Sequence, residues 1–139
     1  MAGKALLQWV SKGQFVGTDS SKHSVVISSQ DQENGVGMKP SDLLLVSMGG
    51  CSAIDVVKIL HKKRQRLTGL EIEVMGEQDP EPPWAFHKIQ ITYVVHGRGL
   101  SEKAVAHAIK LSEDKYCSVK ATLSGAVEVR SDYRIVEDE

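Results

Sequence analysis

Two cysteines are the residues in this chain best suited to redox chemistry, and each sits in a marked setting. Cys51 follows Gly49 and Gly50, and Cys117 follows Tyr116 at a break between helical segments. A thiolate is a nucleophile and a soft metal ligand, so such a pair points to thiol redox or metal chemistry. Their separation of 66 positions, with no second ligand beside either, does not fit a zinc spacing. The five histidines, His23, His61, His87, His96 and His107, contain no H-x-x-x-H pair, so no metal is expected. Cysteine also serves as a small, inert apolar core residue, and that reading competes with the redox one. Cys117 precedes the first turn of a short helix, where free N–H groups stabilise a thiolate. Asp55 lies one helical turn beyond Cys51, either to influence it or as a surface or cap-like residue. Gly35-Val36-Gly37 lacks the remainder of a dinucleotide loop, and Ser47 and Ser52 lie outside a nucleophile elbow.

The elements that position these cysteines follow from hydrophobic periodicity. Alternation predicts a first strand around Ala5 to Val10, then two short strands at Gln14 to Thr18 and Ser24 to Ser28. Ser28 to Lys39 is polar and rich in turn residues, hence a loop. A long helix is expected from Ser41 to about Arg66, with Pro40 suited to its first turn and Asp42 near its positive end. Its apolar residues recur at helical spacing, and His61 to Arg66 close it with cations. That basic run is a solvated helix end or a localised anion or nucleic-acid patch. Gly49 and Gly50 each cost about 0.8–1 kcal/mol relative to Ala within a helix. They imply a break, or the close approach of another backbone or a ligand.

Gly69 opens a strand in which Leu70, Ile72 and Val74 alternate with Glu71, Glu73 and Met75. A second strand places Ile89, Ile91, Tyr93 and Val95 on one face. Ser101 caps a helix, a short helix runs from Ser118 to Ser124, and a last strand alternates from Val127 to Ile135. Strands in a block, then helices, then strands predict an α+β fold.

Composition bounds the function. With 139 residues, one domain spanning 1–139 is expected. Seventeen Lys and Arg against eighteen Asp and Glu argue against a global nucleic-acid binder. No apolar run approaches the roughly 18–20 residues of a membrane span, so no membrane association is expected. Lys4 and Gln8 interrupt the N-terminus, so no signal peptide is expected, and two cysteines suit a reducing cytoplasm.

Pro40 to Leu45 followed by Gly49-Gly50-Cys51-Ser52-Ala53-Ile54-Asp55-Val56-Val57 resembles the central helix of the OsmC/Ohr superfamily. Asp114 to Val119 resembles its second cysteine motif, and the likeness extends along essentially the whole chain. With Arg64-Gln65 and Glu113 added, the pattern resembles the YhfA-like branch. The resemblance implies an OsmC-like fold of three N-terminal antiparallel strands, long helix, two strands, helix pair and final strand, in an intertwined homodimer. It also implies reduction of organic hydroperoxides, with Cys51 as the peroxidatic and Cys117 as the resolving cysteine. A dithiol reductant would regenerate the pair, with no cofactor.

Two departures accompany the resemblance. The position ten residues before Cys51, where the peroxidases carry Glu, is Ser41, so Asp42 is the nearest stand-in carboxylate. No Arg precedes Arg64, leaving Lys22, His23 and Lys39 as cationic substitutes. In a continuous helix, Asp42 lies about 13–14 Å along the axis from Cys51, at about 1.5 Å per residue. The alternative reading is therefore a dimer without robust peroxidase activity that binds a small apolar or thiol-reactive ligand at its interface.

Overall fold

Hydrophobic alternation and helical periodicity produce two compact units, one ending at Leu44 and the other comprising Leu45–Glu139. A computed structural model describes residues 2–139. In the first unit, β1 (Leu6–Ser11), β2 (Gln14–Thr18) and β3 (Ser24–Ser28) form an antiparallel sheet in that order. The β1–β2 turn uses Lys12 in the left-handed region, at φ 49°. Gly37 permits the following loop to return against β3: a Cβ there would lie 2.8 Å from the Val26 carbonyl oxygen. Every residue of β1 is exposed, including Leu6, Leu7, Trp9 and Val10.

Helix α1 is continuous from Pro40 to Lys62. Gly49 and Gly50 therefore do not break it. Ile72 and Val74 approach Gly49, where a Cβ would come within 3.1 Å of Val74 Cγ2, whereas Gly50 faces open space. Along α1, Met48, Ser52, Val56 and Leu60 fall on one buried stripe, one turn apart. The helix is also long and apolar enough to cross a membrane, its best window having mean hydropathy 1.8. Asp55 and Lys58 interrupt the apolar run, as the sequence shows, without abolishing the overall hydropathy. The buried stripe gives a physical reason for that composition, because Met48, Val56 and Leu60 belong to the core of the second unit.

The predicted helix end is also corrected. Arg64 turns the chain at φ 57°, the Gln65 N–H donates to the Leu60 carbonyl, and β4 (Arg66–Gln78) begins before Gly69. Backbone pairing to β5 (Phe86–Arg98), from Arg66 opposite Arg98, outweighs the helix-end preference of the cations. The sheet has the order β4-β5-β6, with β4 antiparallel and β6 (Glu128–Glu137) parallel to β5.

A parallel pair needs a long crossover, which is supplied here by helices. These are α2 (Glu102–Leu111), a π-turn (Ser112–Tyr116) and α3 (Ser118–Leu123). Ser101 caps α2 as expected, its Oγ accepting from the Ala104 N–H at 3.1 Å. Ile89, Ile91, Tyr93 and Val95 face the core from β5, again as expected, and all are fully buried. The α+β architecture is thus the predicted one, with two three-stranded sheets and three α-helices among the described residues.

A part-buried dithiol as the candidate active site

The site begins with a change in helical pitch. After α2 the backbone widens into a π-turn, closed by the Cys117 N–H donating to the Ser112 carbonyl at 2.7 Å. Cys117 then leaves helical geometry, at φ −77° and ψ 101°, and becomes the N-cap of α3. Its sulfur accepts from the Lys120 N–H at 3.4 Å, and the Ser52 hydroxyl points to it from α1 at 3.9 Å. Periodicity located the break near Tyr116; the five-residue turn that produces it was not predicted.

The two thiols influence one another, and their surroundings are unequal. Burial raises the Cys51 thiol. Hydrogen bonds from Cys117, the Val119 N–H and Ser118 more than offset burial, so its pKa falls below the ordinary 9.0. Burial and the bond to Cys51 raise the Cys117 thiol, against smaller opposition from the Lys120 N–H and Ser52. Of the two thiols, Cys51 is therefore the more readily ionised. The free N–H groups expected to stabilise a Cys117 thiolate also lower the Cys51 thiol.

Behind Cys117 lies a polar cluster. Tyr93 donates to Glu113 Oε2 at 2.9 Å, while Ser131 and Lys120 reach Oε1 at 2.9 and 3.0 Å. The Glu113 side chain is only 5% exposed, so these three donors replace most of its water. Burial raises the Tyr93 phenol well above its usual range; Ser52 hydrogen bonding opposes that shift and the Glu113 charge reinforces it. Lys120 therefore contributes its backbone to Cys117 and its ammonium to Glu113. The arrangement anchors the first turn of α3 beside the sulfurs.

Sequence reasoning assigned no site role to Tyr93, Ser52, Glu113 or Lys120. The seven-residue spacing of Glu113 and Lys120 was a local signal, but the π-turn between them makes simple helical spacing unreliable. Asp55 accepts from the Ser112 hydroxyl at 2.9 Å, giving it a partner within the turn. Asp42 is exposed in the first turn of α1 and is not among the contacts at either sulfur. Lys22 and Lys39 are exposed, and His23 engages Asp19 and Ser21 locally. Among the described residues, no group of three or more His, Cys, Asp or Glu is arranged to hold a metal ion.

The model of the OsmC-like protein family matches residues 30–132. The chain is also 37% identical to Protein YhfA of Escherichia coli over 133 residues, covering 96% of this chain and 98% of that protein. The chain belongs to the OsmC-like family. The chain is also similar to a hypothetical protein from Aquifex aeolicus VF5, at 31% identity and TM-score 0.88, with 100% of this chain and 99% of that chain covered. The Organic Hydroperoxide Resistance Protein OhrB of Bacillus subtilis shares the fold at 16% identity and TM-score 0.63, covering 96% and 98% of the two chains.

Proposed function

We propose that this OsmC-like chain is a cytoplasmic, two-cysteine reductase of organic hydroperoxides. It acts as a single domain over residues 1–139 and as a homodimer. The carrying observation is the apposition of the two cysteines, with Ser52 beside Cys51 reaching the Cys117 sulfur at 3.9 Å, the Cys51 thiol lowered in pKa and the Cys117 thiol raised. Attack by the Cys51 thiolate on the terminal peroxide oxygen forms an S–O bond and breaks the O–O bond. The departing alkoxide takes a proton and leaves as alcohol, while Cys51 becomes a sulfenic acid. Cys117 then displaces that hydroxyl, which leaves as water, and a disulfide forms. Exchange with a dithiol returns both cysteines to thiols and oxidises the reductant. This chemistry uses backbone N–H groups where a cation would otherwise stabilise the thiolate.

The homodimer is supported by apolar surface in each unit. In the first, Leu6, Leu7, Trp9 and Val10 are exposed along β1. In the second, Leu45, Val46, Gly49, Ala53, Ile72 and Val74 contribute to a groove of about 390 Å³. This groove also favours the alternative of a small apolar or thiol-reactive ligand at the interface, without robust peroxidase activity.

Thiol titration separates the readings. Free thiol per chain is measured before and after a stoichiometric organic hydroperoxide, with Cys51→Ser and Cys117→Ser as controls. The reductase reading expects rapid loss of both thiols, equal formation of alcohol and reversal by dithiol. Thiols that survive at the rate of free cysteine would overturn it in favour of the binding reading.

A further inference from the structure

The lysines at the end of α1 surround a groove distinct in composition from the dithiol site. It has a volume of about 760 Å³ and is bordered by Lys58, Lys62 and Lys63 from one side and His107 from α2. Ile59, Leu111 and Tyr116 supply apolar surface, and Asp55 is its carboxylate. Asp55 already accepts from Ser112, and none of the three lysines forms an ion pair among the described residues. An adjacent depression of about 410 Å³ shares Lys63 and His107 and adds Lys103. Helix-end electrostatics accounts for Lys62, but not for Lys58 a turn earlier or for His107 on another helix.

We propose that this groove binds a phosphate monoester with an apolar organic part. Three ammonium groups against one carboxylate leave two formal positive charges, matching a phosphate dianion. Lysines serve as point-charge partners for phosphate oxygens, while Ile59, Leu111 and the exposed face of Tyr116 receive the organic part. The volume lies within the range of small-molecule sites. The apolar side chains Ile59, Leu111 and Tyr116 in the same lining favour this class over a nucleic-acid backbone.

Titration calorimetry of the full reduced chain with hexyl phosphate tests the site without relying on peroxide chemistry. The expected result is saturable binding at one site per chain. Inorganic phosphate should bind at least about tenfold more weakly, because it lacks the apolar part. Combined Lys58→Gln, Lys62→Gln and Lys63→Gln should weaken hexyl phosphate by at least about tenfold. These side chains are exposed, and circular dichroism checks that the variant retains its fold. No saturable binding to wild type, unchanged affinity in the folded triple variant, or equal affinity for inorganic phosphate would overturn the proposal. Tighter binding of a single-stranded oligonucleotide would instead identify a nucleic-acid surface and also overturn it.

Discussion

The dithiol cluster and the basic groove use charge in opposite ways. Glu113 is buried and receives Tyr93, Ser131 and Lys120, whereas Lys58, Lys62 and Lys63 remain exposed without carboxylate partners. Burial makes an unpaired charge costly, so the charges near Cys117 are committed to holding the fold. Water tolerates unpaired ammonium groups, leaving those in the groove available to a ligand. The comparison distinguishes charge that positions a reactive group from charge that recognises one.

The largest expected effect comes from removing the proposed nucleophile. Cys51→Ser should reduce peroxide-dependent alcohol formation by at least about a thousandfold, because the low-pKa thiolate is lost. Stopped-flow peroxide consumption measures this, and retention of wild-type rate would remove Cys51 from the mechanism. Glu113→Gln should destabilise the chain by about 2–4 kcal/mol by leaving Lys120 without its charged partner. Urea unfolding gives that loss. A change below about 0.5 kcal/mol would show that the cluster is not holding α3.

Acidity sharpens the contrast between the two thiols themselves. Site-resolved alkylation followed by mass spectrometry should give Cys51 a midpoint below the ordinary 9.0 and Cys117 one above it. The sign follows from thiolate population: as pH falls from 9.0, Cys51 retains reactivity after an ordinary thiol has lost most of it. Reversed midpoints would exchange the proposed roles.

The paired glycines test packing on a smaller scale. Gly50→Ala should stabilise by about 0.5–1 kcal/mol through helix propensity, since its added Cβ meets nothing within 4 Å. Gly49→Ala should gain less or destabilise, because Val74 must yield. Thermal unfolding of the two variants measures the difference; destabilisation by Gly50→Ala would indicate that this face of α1 is covered. The Lys58, Lys62 and Lys63 glutamine variant should change ligand-free stability by no more than about 0.5 kcal/mol.

Much of the scaffold was legible from repeating local chemistry. Gln14 to Thr18 and Ser24 to Ser28 had strand periodicity, and Ile89 to Val95 alternated into a buried face. The cysteines were legible as candidates by residue type and surrounding motif. The end of α1 was less legible because the same cations favour a helix terminus and tolerate a turn. The π-turn was hidden for a related reason: an inserted change in pitch preserves composition while rotating the following side chains.

Sequence by itself determined the strand faces, the long apolar helix, the two thiols and the lysines near its end. These depend on residue type and short-range spacing. Tertiary structure decided that Gly49 accommodates Val74, that Glu113 collects three donors and that α3 divides its N–H groups between Cys51 and Cys117. It also gathered Lys58, Lys62, Lys63 and His107 around one groove. Those outcomes require residues distant in sequence to meet, where burial and hydrogen-bond geometry determine which polar groups are committed and which remain available.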